Sequence, residues 1–314
     1  MSDARKSLCL HLGLLAVLFA LQFILPAYHH GNLSRIMVLA SYAIGYNLLF
    51  GYTGLLSLGH AMFFAAGMYG MGLSIRHFGF SPAPALIMGL LSGAVLSAVV
   101  GLLALRTIGV AFMIVTLMFA QAVYLTILYF GTWTRGDEGF VIQQAERVLW
   151  GIDLSQPTAR YFAALMLFGT CLMVTFKLME RPFGKVLIAI RENEDRAQML
   201  GYDVFRYKLG AVIISGTISA TAGAFYGLLF GYAGASFATV QYSILPLLWV
   251  LLGGAGTLIG PFIGALFTFY LIDIASGFTT AYMLIVGVVL VLLTLFARQG
   301  IAGELRARIW RWLP

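Results

Sequence analysis

Pro84 to Leu105 reads PALIMGLLSGAVLSAVVGLLAL, a run without one charged residue. Wound as a helix rising about 1.5 Å per residue, it crosses the ~30 Å hydrocarbon layer of a bilayer. Comparable apolar runs fall near residues 8–28, 35–54, 57–75, 108–131, 159–178, 209–231, 240–255, 257–275 and 279–296, which makes ten with the first. The 314-residue chain is 61% hydrophobic and only 10% charged, too little polar surface to clothe a water-soluble domain. Soluble enzymes, nucleic-acid binders and disordered regulators are thereby excluded. The expected fold is an all-α polytopic membrane protein of about eight to ten transmembrane helices. Among these, 57–75, 240–255 and 257–275 are short or glycine-rich enough to be broken or re-entrant.

Arg5 and Lys6 precede the first run as in a signal peptide, but the run is long and no small-residue cleavage site follows, so it reads as the first span. Cys9 and Cys171 lie inside apolar runs and define no disulfide framework. An even number of spans puts both termini on one side. Alternation then leaves only Arg35, Arg76, Arg135, Arg147 and Arg160, of 19 basic residues, on the other side, and the positive-inside rule makes the termini cytoplasmic.

The longest polar stretch on the basic side, 177–208, is helical in pattern and too charged for lipid. Asn193 is placed to cap a short helix with Glu194 and Asp195 in its first turn, Ala197 and Leu200 on its inner side, and Gly201 as the left-handed residue that ends it. Val186, Leu187 and Ile190 form an apolar stripe just before it. Such a charged helical knob suits docking to a soluble protein, or is simply an amphipathic connection. On the opposite side, 132–158 carries Trp133 and Trp150, which suit interfacial anchoring, and the charges Arg135, Asp137 and Glu138.

Small residues recur every fourth position at Gly89, Gly93, Ser97 and Gly101, at Ser215, Ser219, Gly223, Gly227 and Gly231, and at Gly256, Gly260 and Gly264. Each ridge permits close approach of a second helix, from this chain or another subunit. Phe50-Gly51-Tyr52-Thr53-Gly54 is echoed by Phe230-Gly231-Tyr232-Ala233-Gly234, with the two copies on opposite sides. That is the arrangement of an inverted repeat with broken helices at its interface, or of two independent loop endings. Between Leu56 and Phe64, Ser57 and His60 at membrane depth need either a water-lined path or a bonded neighbour. Asp273 is the single acid within a run and lies near its outer end, at headgroup level or in an ion-coupling role. The chain contains no G-x-x-x-x-G-K-[ST] loop, H-E-x-x-H or G-x-S-x-G motif. The residues describe a channel or carrier, not an enzyme, with no energy source of its own.

Four ordered stretches resemble the permease subunits of ATP-binding cassette (ABC) importers for branched-chain amino acids, the LivM type of the LivH/LivM family. Gly51 to Ala61, GYTGLLSLGHA, is similar to the family's G-x-x-G-Q-x-S-L-G-H-A. Ala104-Leu105-Arg106 with Val115-Thr116-Leu117 and Phe119-Ala120, Arg181-Pro182-Phe183-Gly184 with Ala189 to Glu194, and Leu252 to Thr257 with Gly260-Pro261 supply the others. The resemblance implies that residues 1–314 form one permease domain of the bacterial cytoplasmic (inner) membrane, with 179–208 as its coupling loop. The implied partners are a homologous second permease, two cytoplasmic ATPase subunits that carry ATP and Mg, and an extracytoplasmic solute-binding protein. No cofactor is expected on this chain, and no nucleic acid. It further implies ATPase contacts at Arg191, Glu194 and Asp195, close approach at Ala197 and Gly201, and translocation-path candidates Ser57, His60, Thr116, Gly253 and Gly254. Leu55 departs from the family's usual Gln, and Thr134-Arg135-Gly136-Asp137-Glu138-Gly139 from T-G-G-S-[DN]-G, which leaves the solute open among branched-chain amino acids, urea and amides. An ion-coupled carrier or channel is the alternative.

Overall fold

The computed structural model describes residues 3–296 and 299–308, so Arg298 and Arg311, counted above for sidedness, lie outside it. Ten apolar helices follow the ten runs: α1 (Asp3–Ile24), α2 (Ala27–Asn47), α3 (Ala61–Phe78), α4 (Pro82–Ala104), α5 (Val110–Tyr129), α7 (Pro157–Glu180), α10 (Val204–Phe230), α11 (Val240–Gly253), α12 (Gly260–Phe278) and α13 (Tyr282–Phe296). Short helices α6 (Gly131–Thr134), α8 (Pro182–Glu192), α9 (Glu194–Met199) and α14 (Gly300–Arg308) lie between or after them. Among the described residues seven helices are long and apolar enough to cross a membrane, namely α1, α2 with its following turn, α4, α5, α7, α10 and α12.

Prolines set several starts. Pro82, Pro157, Pro182 and Pro261 stand in the first turn of α4, α7, α8 and α12, where a missing N–H costs nothing. Gly79 and Gly231, both left-handed, end α3 and α10.

α10 is the central post. Gly67 of α3 lies on the Ala220 carbonyl of α10 while Gly223 of α10 lies on the Phe64 carbonyl of α3, a reciprocal crossing in which any Cβ would overlap backbone. Gly93 of α4 meets Ala220, and Gly45 of α2 meets Ser215 and Ser219. The ridges of α4 and α10 therefore face helices of the same chain. Backbone approach of this kind supplies the dispersion contacts that replace a hydrophobic drive in lipid. The third ridge is only partly helical: Gly256 sits in the connection before α12 with φ +77°, while Gly264 packs on the Trp249 carbonyl. Residues 257–275, expected as possibly broken, form an uninterrupted helix from Gly260.

The connection 181–203, holding α8 and α9, marks one end of the bundle, called here the knob end. The last turns of α2 and α11 reach it: Arg191 of α8 bonds the Gly51 carbonyl and lies beside Gly256. Gly300 packs on Gly254, so the chain also returns to this end after α13. At the far end, β1 (Phe140–Val141) pairs antiparallel with β4 (Tyr232–Ala233), and β2 (Val148–Leu149) with β3 (Ile152–Asp153). The two Phe-Gly-Tyr copies thus sit at opposite ends.

Gly223→Ala is expected to lower stability by about 1–3 kcal/mol, since the new methyl meets a carbonyl that cannot move without separating α3 from α10. Gly13→Ala on α1, with open space at its Cβ, is expected to be neutral or stabilising by up to ~1 kcal/mol. Thermal unfolding of the purified variants in detergent checks the contrast.

Candidate functional site

The two copies open two equivalent breaks. After α2 the helix widens into a π turn at Leu48–Tyr52, and residues 53–60 run without regular secondary structure back into the bundle before α3 starts at Ala61. After α10, residues 231–239 return from the far end through β4 and a 3₁₀ turn at Ala235–Ala238 before α11 starts at Val240. The two half-helices meet inside the bundle. The Ala61 amide donates to Ser243 Oγ of α11 (2.9 Å), and His60 Nε2 lies 2.8 Å from Ser215 Oγ, midway along α10.

Backbone that leaves a helix at membrane depth needs other partners. Tyr46 OH donates to the Ser57 carbonyl (3.0 Å), the Leu58 amide to Thr116 Oγ1 of α5 (3.3 Å), and the Gly59 amide to Ser57 Oγ (3.2 Å). Gly59 packs so closely on the Thr116 carbonyl that no side chain fits. Asn47 spans to the second half: its Nδ2 donates to the Thr257 carbonyl (2.8 Å) and its Oδ1 accepts from the Gly256 amide (2.9 Å). Pro246, inside α11, cannot return an N–H to the carbonyl four residues earlier, that of Tyr242. Tyr42 OH of α2 donates to that carbonyl (3.2 Å).

The tautomer of His60 follows from its neighbour. Ser215 Oγ donates its one proton to the Gly45 carbonyl (2.5 Å), so the contact with His60 requires Nε2–H as donor. His60 is 0% exposed, and its Nδ1 lone pair has no hydrogen-bond partner. Rings of Tyr46, Tyr42 and Phe63 surround it, the Tyr46 centroid at 4.8 Å.

Of the path candidates, Ser57, His60 and Thr116 come together at this junction, all buried. Gly253 and Gly254 do not join them. Gly253 packs on Gly260 and Gly254 on the start of α14, both at the knob end. Sequence reasoning missed Tyr42, Tyr46, Asn47 and Ser243. The available signal was polar atoms inside apolar runs, together with a proline at 246 in one of them.

At the knob, Asn193 caps α9 by accepting from the Arg196 amide (2.8 Å), and Gly201 is left-handed at φ +87°. Val186, Ile190, Ala197 and Val204 close a small core of their own. The expected docking residues divide. Arg191 bonds the Gly51 carbonyl while remaining exposed, Glu194 pairs with Lys208 (2.6 Å) with its side chain 42% exposed, and Ala197 is buried, so these three tie the knob to the bundle. Asp195 and Gly201 are exposed. Leu200, expected on the inner side, is 71% exposed beside Met199 at 87%, because the helix ends before that residue turns inward. Two clefts of about 500 and 360 Å³ flank Arg191 at this end. The Asp273 carboxylate accepts the one proton of Tyr28 OH, which lies 2.7 Å from Oδ1 and 2.9 Å from Oδ2, at the exposed far end of α12.

An all-α bundle with several membrane spans, two half-helices meeting inside it and a charged knob at one end defines a multi-pass membrane protein of the transport type. The family model for the branched-chain amino acid transport system / permease component matches residues 31–295, and the chain belongs to that family. It is 27% identical over 296 residues to the high-affinity branched-chain amino acid transport system permease protein LivM of Salmonella typhimurium, covering 87% of this chain and 69% of that one. The LivM protein of Escherichia coli is 27% identical over 297 residues, with the same shares covered. A probable LivM of Methanocaldococcus jannaschii is 36% identical over 108 residues, covering 33% of this chain and 31% of that one. No solved structure matches the chain.

Tyr42→Phe is expected to cost about 1–3 kcal/mol by stranding the Tyr242 carbonyl. In the double variant Tyr42→Phe/Pro246→Ala, the alanine N–H reaches that carbonyl and recovers most of the loss. Additive losses in thermal unfolding would contradict this pairing.

Proposed function

We propose that the chain is a permease subunit of an ABC importer that passes branched-chain amino acids, or related small polar solutes, through the half-helix junction. The reading is supported by one arrangement above all: the π turn that ends α2, from which residues 53–60 lead to the junction, is bonded at Gly51 to Arg191 of the knob. A push on the knob therefore acts directly on the first break. In this reading residues 1–314 form one permease domain of the bacterial cytoplasmic (inner) membrane, with the knob end and both termini cytoplasmic. Two ATPase subunits, which carry ATP and Mg, take the knob, a homologous second permease packs alongside, and a solute-binding protein delivers cargo at the far end. The chain itself performs no hydrolysis.

The exposed face of the knob supports docking through Met199, Leu200 and Asp195, with Arg191 and Glu194 also reachable and Ala197 buried beneath. The unfilled Nδ1 acceptor of His60 suits the ammonium of an amino acid when the junction opens. Ion coupling has less support, since the intramembrane acid Asp273 is bonded to Tyr28 at the far end, away from the junction.

Met199→Asp/Leu200→Asp is expected to weaken capture of the ATPase subunits at least about tenfold, because two apolar anchors become charged at the contact. Insertion and thermal stability should stay unchanged, both side chains being free of the core. Leucine uptake that persists in cells lacking the ATPase subunits would refute the reading.

A further inference from the structure

Three arginines converge at the far end of α10, and none bonds an acidic side chain among the described residues. The guanidinium carbons of Arg35 (α2) and Arg160 (α7) lie 5.2 and 5.6 Å from the centroid of one ring, Phe230. Arg147, from the loop before β2, lies against Gly231, where an added Cβ would come within 2.8 Å of its Nη1. Arg160 lies within electrostatic range of both Arg147 and Arg35. The Nε atoms of Arg147 and Arg160 are buried without a hydrogen-bond partner.

Nearby acids are already engaged. Asp153, within electrostatic range of Arg147, is held below the usual carboxyl range by the Ser155 side chain, by Gln144 Nε2 (2.8 Å) and by the Ser155 amide (2.8 Å). Glu146 is bonded to the Gln143 amide (3.0 Å). Those bonds leave both carboxylates charged, and Asp153 offsets Arg147 in part; Arg35 and Arg160 pair with no acid among the described residues, and the C-terminus of α10 supplies only about half a negative charge. Clustered like charges, with Arg147 and Arg160 partly buried and Arg35 exposed, favour an anion among them.

What lies beneath selects the anion. Rings run without a gap from Phe230 to Tyr226 (4.6 Å), Phe64 (5.8 Å) and Tyr42 (4.9 Å), which stands beside His60. On α2, Tyr42 and Tyr46 lie seven and eleven residues beyond Arg35, on the same helical face. A guanidinium cluster above an aromatic train suits a small carboxylate with an apolar body. We propose that Arg35, Arg147 and Arg160 form a vestibule that takes the carboxylate of the incoming solute and hands its apolar part to the rings leading to the junction. The hand-over rests on the transport reading above; the carboxylate site does not.

Two experiments separate them. Full-length chain in lipid nanodiscs is titrated with 3-methylbutanoate, ¹³C-labelled at the carboxylate, and with its amide, reading ligand line broadening. The carboxylate should bind and the amide should not. Arg35→Gln, Arg147→Gln or Arg160→Gln should weaken binding about tenfold, with Arg→Lys partly retaining it. Equal binding of carboxylate and amide, or glutamine variants that bind as the parent does, overturns the site. In cells carrying the whole transporter, Arg35→Gln should raise the KM for labelled leucine about tenfold with little change in maximal rate. An unchanged KM places the arginines off the route and overturns the proposal, as does loss of solute-binding-protein capture by variants that still bind the carboxylate. Parent protein that takes up no leucine refutes the transport reading, while the nanodisc titration still decides the carboxylate site.

Discussion

Lipid offers nothing to an unpaired N–H or C=O, and the architecture depends on how this chain leaves a helix twice at membrane depth without stranding one. At the first break Tyr46, Thr116 and Ser57 substitute for the missing helical partners, and Ser243 takes the amide that opens α3. At the second, Tyr42 takes the carbonyl that Pro246 releases. Each substitute is a hydroxyl, and all but Ser57 stand on a neighbouring element, so the breaks hold their shape only while their neighbours are in register.

Register comes from small residues. Because Gly67 and Gly223 bring α3 and α10 to backbone contact at matched positions, α3 cannot slide along α10 without driving side chains into carbonyls. That fixed crossing sets His60 opposite Ser215 and Ala61 opposite Ser243. At the knob end Asn47 and Arg191 perform a similar task with polar atoms, tying the end of α2 to the connection before α12 and to α8.

Much of this was legible in the sequence, and the illegible parts have a common cause. Apolar run length gave ten helices because hydrocarbon thickness fixes how long a span must be. Four-residue spacing gave the α4 and α10 ridges, and the echo of Phe-Gly-Tyr gave the two breaks at opposite ends. The cap at Asn193 and the left-handed Gly201 followed from local backbone chemistry. What needed coordinates was pairing between residues distant in sequence. Nothing near Arg191 or Glu194 announces their bonds to Gly51 and Lys208, nor does anything near Gly253 announce that it packs on Gly260. Ser243 finds its partner, the Ala61 amide, 182 residues earlier, beyond any local pattern.

The sequence distances across the junction bear on biogenesis. His60, Ala61, Tyr42 and Asn47 wait for partners that the ribosome makes 155, 182, 200 and 210 residues later. When α2 and the 53–60 segment first leave the translocon, Tyr46 and Ser57 can already serve the segment's own backbone, but the Ala61 amide has only water or the insertion machinery to satisfy it. The N-terminal half is thus a provisional intermediate, completed when α10 and α11 arrive, and a nascent chain stalled before Ser215 would present quality-control proteases with an unfinished membrane segment.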